Sequence, residues 1–466
     1  MKKMLLPLLG VLLVSCGTPE PAAIREILAN IHEPQFRAAE YPAADFGAVP
    51  DGATDCRSAI NEAITRCSDE GGGTVVLPLG KVFSKGSINL KSNVNLCIPE
   101  GCELIFSNDP LDYLPAELTV WEGTEMYNYA SLIRSDHCNN IALTGGGILN
   151  GNAKETFARM RPQRSAQQDS LRQMGIDLVP VRERYFGASS IMPPNMIEPF
   201  GCKNVLIEDL TIIDSPYWII HPLFCDNVTV RGITIESYNK NNDGCDPEYS
   251  TNVLIEKCTF KTGDDAIAIK AGRDQDAWRI GQKTAGIVIR DCDFWSKCNG
   301  LCIGSEMAAG VENVHMYNVR VRDCHTAIYF KSNLDRGGFI RNVTVNDITV
   351  DHVRTAVIRF ENNYHGGRGG FHPTLFENFR ISNVKGGSSD ECGVYAVGVE
   401  GHPIRNVVLE NVALDSCKIP YALANTEGFL FKNVSINGEL QPENPQATTP
   451  KQLLSAPDID KILKND

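Results

Sequence analysis

Short runs of alternating apolar and polar residues return along the chain at a nearly regular interval. Asn followed by Val and further apolar positions stands at Asn204-Val205-Leu206-Ile207, Asn227-Val228, Asn252-Val253, Asn313-Val314, Asn342-Val343, Asn406-Val407 and Asn433-Val434. A degenerate copy begins at Gly286-Ile287-Val288-Ile289, and earlier echoes stand at Asn93-Val94 and Asn140-Ile141. From Asn204 the steps are 23, 25, 34, 27 and 29 residues, then 64 to Asn406, which reads as two turns, and 27 to Asn433. Such strands are too short to bury their apolar faces alone, so they predict a stack of repeats. With no helical period between them, the pattern predicts an all-β chain wound as a parallel β-helix.

Two departures from the alternation predict helices. Ser58 to Ser68 places Ala59, Ile60, Ala63, Ile64 and Cys67 on one face and ends at Gly71-Gly72-Gly73, as an N-terminal capping helix over the open first coil would. Ile24 to Ile31 predicts a short helix within a tether at 17–40. Residues 152–194 break the repeat and carry Arg159, Arg161, Arg164, Arg172, Arg182 and Arg184, as expected of an insertion overhanging one end of a groove. The repeat itself predicts one domain over 41–440, with 441–466 as a tail, because a solenoid lengthens without needing a larger core.

In a coil stack, residues at similar offsets lie side by side. Asp243 lies 16 residues past Asn227, Asp264 and Asp265 lie 12 and 13 past Asn252, Asn299 lies 13 past Gly286, and Lys331 lies 18 past Asn313. Neighbouring coils thus offer carboxylates, an amide and a cation at one phase. Crowded carboxylates raise one another's pKa, so one can hold a proton while another is ionised, which is what hydrolysis of a glycosidic bond requires. Lys331, within the apolar strand Ile328-Tyr329-Phe330-Lys331-Ser332, favours an anionic ligand. Lys270, Arg273 and Arg336 are further candidate contacts, and His221, 17 past Asn204, is a secondary one.

Lys2 and Lys3 precede the apolar run Leu5 to Val14, which is too short to remain as a membrane span. Leu13-Val14-Ser15-Cys16 resembles the box of bacterial lipoproteins, predicting removal of a signal peptide at 1–16, lipidation of Cys16, and a periplasmic or outer-membrane location. Without Cys16 the remaining 15 of 16 cysteines are odd in number, and triplets such as Glu256-Lys257-Cys258, Arg290-Asp291-Cys292 and Arg322-Asp323-Cys324 suggest one stacked column of core thiols. No zinc-type pair occurs, and neither a metal nor a cofactor is expected. The net charge of −13 disfavours nucleic acid and means that an anionic ligand must rely on local cations. A monomer is expected.

Asp45-Phe46-Gly47-Ala48-Val49-Pro50-Asp51-Gly52, Gly71 to Pro78, Ser215-Pro216-Tyr217-Trp218 with His221-Pro222, Asn241-Asn242-Asp243-Gly244 and Gly263-Asp264-Asp265 together resemble the polygalacturonases of glycoside hydrolase family 28. The resemblance runs from about Tyr41 to about Asn437. It implies a right-handed β-helix, inverting hydrolysis of α-galacturonide links, Asp264 as general acid, and Asp243 with Asp265 activating water. Two motifs depart. The family's Gly-His-Gly reads Cys298-Asn299-Gly300, and its Arg-Ile-Lys reads Tyr329-Phe330-Lys331, which exchanges a charged clamp for a phenol. Asn241, Asn299 and Tyr329 are therefore expected as uncharged sugar contacts, and a neutral sugar such as rhamnose becomes possible beside the scissile bond. The insertion, together with 275–283, predicts exo attack on pectic chains. The alternatives are a rhamnogalacturonan hydrolase of the same family, a Ca²⁺-dependent pectate-lyase-like enzyme and a non-catalytic glycan-binding solenoid.

Overall fold

The computed structural model describes residues 21–448 apart from Arg161 and Gly366. Cys16 and its signal segment, and the tail past residue 448, lie outside the described residues. The chain winds as a right-handed parallel β-helix, with one 25-stranded sheet running the length of the stack. Register follows the sequence motif: Val205, Val228, Val253, Ile287, Val314, Val343, Phe379, Val407 and Phe429 stand in one column. The motif's Asn marks a corner. Asn204, Asn227, Asn252, Asn313, Asn342 and Asn406 all have φ between 54° and 60°, a left-handed conformation that Asn tolerates better than other side chains. Their amides also bond coil to coil, as from Asn227 Nδ2 to Asn204 Oδ1 at 2.6 Å.

Three details of the repeat differ from the sequence reading. The turn hidden in the 64-residue step is Asn378, with φ 63°, which is followed by Phe379 instead of Val. Asn433 stacks on Asn411, not on Asn406, whose place in the next coil is taken by Gly428 at φ 65°. The helix turns two left-handed corners per coil, and Asn-Val suits both, so the motif alone cannot tell them apart. Cys324 likewise stands opposite Val353, outside the column shared by Cys258 and Cys292. The thiols do pack as small apolar groups, with all but Cys97 and Cys298 of the described cysteines buried.

Helix α1 (Ala22–Ala29) seats Ile24 and Ile27 against Leu254 and Val288, and the His32 amide donates to Asn227 Oδ1 at 3.0 Å. This part of the 17–40 segment therefore lies on the coils. Helix α2 (Arg57–Asp69) buries Ile60, Ala63, Ile64 and Cys67 over the first coil, where the sequence placed the cap. Helix α3 (Ser165–Ile176) lies in the insertion, and helix α4 (Asp274–Ile280) follows the acid pair and packs against α3.

Candidate active site

The site is assembled in the turns that follow strands Thr234–Ser237 and Thr259–Thr262 on adjacent coils. Two glycines set the spacing. A Cβ on Gly263 would lie 1.9 Å from the Asn239 carbonyl, and one on Gly244 would lie 2.4 Å from that of Ala266. Only bare backbone lets these turns nest, and nesting brings Asp243 beside Asp264 and Asp265. Asn242 fixes the lower turn, donating to the Ser215 and Tyr217 carbonyls at 3.0 and 2.9 Å.

The cleft holds about 510 Å³, and all three aspartates line it. Their surroundings differ. Asp264, half-buried, accepts from the Asn241 amide at 3.2 Å, and burial, then the charge of Asp265, raises its pKa against the pull of Lys331. Asp243 is 3% exposed and its Oδ1 has no partner; burial, then Asp246 and Asp264, raises its pKa well above the usual carboxylate range. Asp265 is the bonded one: its Oδ1 accepts from the Asn299 amide at 3.1 Å and from Asn299 Nδ2 at 2.5 Å, and its Oδ2 lies 3.3 Å from Lys331 Nζ. One cleft thus combines carboxyls that favour the proton with a carboxylate held by a cation and two N–H donors. Asp243 shares the raised state of Asp264, whereas the resemblance grouped it with Asp265.

The expected cations divide into groups. Lys331 sits over the rings of Tyr329 and Tyr364, 5.4 and 5.2 Å from their centroids. Lys270 is 4% exposed, 3.3 Å from Glu306 and 3.9 Å from Asp243, and stacks on Trp218 at 4.7 Å. Arg273 pairs with Glu306 at 2.7 Å and Glu122 at 3.1 Å, and Arg336 pairs with Asp274 at 2.5 Å. These three line the cleft but are braced by carboxylates. Tyr329 lines it too, its hydroxyl donating to Glu361. Arg359, one coil beyond Tyr329, is bound to the same Glu361 at 3.0 Å.

His221 does not reach the cleft, which corrects its reading as a substrate contact. It is fully buried between Glu198 at 3.3 Å and Glu248 at 3.1 Å. Burial opposes its charge, but these two carboxylates outweigh burial and lift its pKa to about 9. Its ring meets Trp218 edge to face at 5.2 Å, so it supports the platform under Lys270.

Helix α3 lies across the cleft as a bar. At one end Arg164 donates to Asn241 Oδ1 at 2.5 Å, where a coil strand begins; at the other Arg172 bonds Asp274 at 2.8 Å and Asp335 at 2.9 Å, where strands have ended. Between them Asp169 pairs with Arg368, which belongs to the 362–374 loop two coils beyond Asn299. Helix α4 braces this bar through Asp274 instead of lining the cleft itself.

Sequence reasoning missed Asp246, Glu306, Tyr364 and Arg368. Asp246 is fully buried 4.0 Å from Lys270 with both oxygens lacking hydrogen bonds, and burial raises its pKa well above the usual range. Its only signal was a second acid three residues after Asp243. Glu306 follows the Leu301 to Ser305 run and is held well below the usual carboxylate range, the cost of burial being outweighed by Lys270, Arg273 and Arg336. Tyr364 and Arg368 sit in a loop with no repeat phase.

Among the described residues, Asp264, Asp265 and Cys298 offer atoms within 4.8 Å of one another, as a metal would need. The donor set does not suit a hard cation. Burial, then Asp264 and Asp265, keeps the Cys298 thiol protonated, and Lys331 already stands against Asp265. A Ca²⁺ ion asks for six to eight oxygens.

Comparison with known proteins bears on the family and the fold. The model of glycosyl hydrolases family 28 matches residues 187–435, and that of rhamnogalacturonase A/epimerase, pectate lyase-like, matches 42–97. A hyperthermoactive exopolygalacturonase from Thermotoga maritima superposes with a TM-score of 0.87 at 35% identity, over 90% of this chain and 96% of that one. A probable polygalacturonase of Vitis vinifera is 25% identical over 413 residues, covering 84% of this chain and 78% of its own. An exo-poly-α-D-galacturonosidase of Dickeya chrysanthemi is 25% identical over 372 residues, covering 73% and 60%. With its coil register, its nested acid turns and the family model spanning Asp243, Asp264, Asp265 and Lys331, the chain belongs to glycoside hydrolase family 28.

Proposed function

We propose that the protein hydrolyses α-galacturonide links of pectic oligosaccharides with inversion, releasing monosaccharide from a chain end. The observation that carries this reading is the contrast between Asp264, biased toward its protonated form, and Asp265, held by Lys331 and Asn299 in the same cleft. Asp264 gives its proton to the leaving oxygen as the glycosidic bond breaks. Water adds to the anomeric carbon and passes a proton to Asp265, while the unpartnered Oδ1 of Asp243 orients that water. Lys331 faces the cleft as the cation for a galacturonate carboxylate.

Exo attack is supported by α3, which crosses the cleft and is tied down at both ends. The Thermotoga and Dickeya relatives are by name exo-acting. A terminal sugar enters and the rest of the chain leaves on the open side. The sequence at Cys16 supports export and lipid tethering of this activity near the cell surface.

Incubation with oligogalacturonides and, in parallel, rhamnogalacturonan fragments tests the substrate. Galacturonate should appear as monomer from the first time points, with little fall in polymer viscosity and no loss of rate after exhaustive chelation. Faster cleavage of rhamnogalacturonan fragments would assign the site beside Tyr329 to a neutral sugar instead.

A further inference from the structure

The cleft continues, on the edge opposite Arg273 and Arg336, into a surface that the catalytic reading leaves unused. Tyr238 is 44% exposed there, and its ring meets Trp295 edge to face at 5.7 Å and 82°. They stand on the coils either side of the one that carries Gly263, with Trp295 opposite Lys261. Lys297 places its ammonium over the Tyr238 ring at 5.9 Å and donates to the Tyr238 carbonyl at 3.1 Å. Lys297 and Lys240, both exposed, line the same cleft as the aspartates.

An exposed aromatic face beside an ammonium suits an anionic sugar. The ring takes the apolar C–H face of the pyranose and the ammonium takes its carboxylate, a division of labour that neither ring nor cation provides alone. The position is equally specific. Lys240 directly precedes Asn241, with Tyr238 two residues earlier, and Lys297 directly precedes Cys298, so the surface begins beside Asp264 and runs outward from it, past the Arg164 end of α3 and away from the anchorage of its other end at Asp274 and Asp335.

We infer that Tyr238, Trp295, Lys240 and Lys297 form an additional galacturonate-binding subsite that holds the leaving part of the chain beyond the sugar next to the scissile bond. This rests on the proposed hydrolysis of galacturonides and adds to it a reason for the enzyme to prefer oligosaccharides over the disaccharide.

The test compares kcat/KM on di- and trigalacturonide in the wild type, Tyr238→Ala, Tyr238→Phe and Lys297→Met. The wild type should favour the trimer by about tenfold, the upper range for an aromatic contact. Tyr238→Phe should keep that ratio, Lys297→Met should reduce it, and Tyr238→Ala should bring it close to one. A ratio unchanged in Tyr238→Ala, or a wild type indifferent to length, overturns the subsite while leaving hydrolysis intact. An enzyme that cleaves neither oligomer fails the functional reading. Calorimetry with trigalacturonide then decides the subsite: weaker binding by Tyr238→Ala supports it, and equal affinity overturns it.

Discussion

Two neighbouring residues, Asp264 and Asp265, are made chemically unlike by what touches them. Asp264 has two backbone donors, the Asn241 and Asp265 amides, and a like charge beside it, whereas Asp265 has Lys331 and both N–H groups of Asn299. An amide at 264 cannot release a proton, so Asp264→Asn should lower kcat by about 10²- to 10⁴-fold with little change in substrate binding. Steady-state kinetics with calorimetry checks both halves. Lys331 lowers the pKa of Asp264, so its removal should raise it. The acid must be protonated to act, so activity is lost as pH rises through that pKa, and Lys331→Met should move the alkaline limb of the kcat profile to higher pH while lowering kcat/KM. A limb that stays put or moves down would show that Asp264 is not the acid. The aspartates were legible because they fall in register. Asn299 was legible only as a departure, and its bond to Asp265 shows that the amide which replaces the family's His orients a carboxylate.

At the scale of elements, the coils were legible and the structures laid over them were not. Alternation fixes which side chains face inward, so columns such as Val205, Val228 and Val253 follow from sequence. Corners are ambiguous because Asn adopts positive φ at both, which is why Asn433 was placed in the wrong column and Asn378 passed unnoticed beside Phe379. Helix α3 has no repeat phase, and its role depends on ion pairs between distant residues such as Arg172 and Asp335. Those pairs make a prediction. Arg172→Ala leaves Asp274 and Asp335, both largely buried, without one of their cations, which should cost about 2 to 4 kcal/mol and loosen the bar. Thermal unfolding should shift downward, and time-resolved chromatography of digested polygalacturonate should show mixed oligomers beside the monomer. Unchanged products in a folded variant would mean that α3 does not set the mode of attack.

For the whole molecule, a body of net charge −13 binds an anionic chain only through cations gathered at one cleft. Holding that cleft together has a pH cost that reaches the entire fold. His221 has a folded pKa of about 9, above the ordinary 6.5 of an unfolded chain, because Glu198 and Glu248 outweigh its burial. A raised pKa stabilises the fold fully below 6.5, and the contribution is lost as pH climbs to about 9. Up to about 3 kcal/mol is involved, a fraction of which any relaxation of the pocket would recover. Denaturant unfolding across that window should show declining stability in the wild type and a flatter profile in His221→Gln. The account as a whole is tested most directly by proton NMR of the first product formed from an oligogalacturonide. Inverting hydrolysis in a barred cleft predicts saturated galacturonate monomer that appears first as the β anomer and only later mutarotates. An initial α anomer, an unsaturated sugar or a burst of mixed oligomers would contradict it.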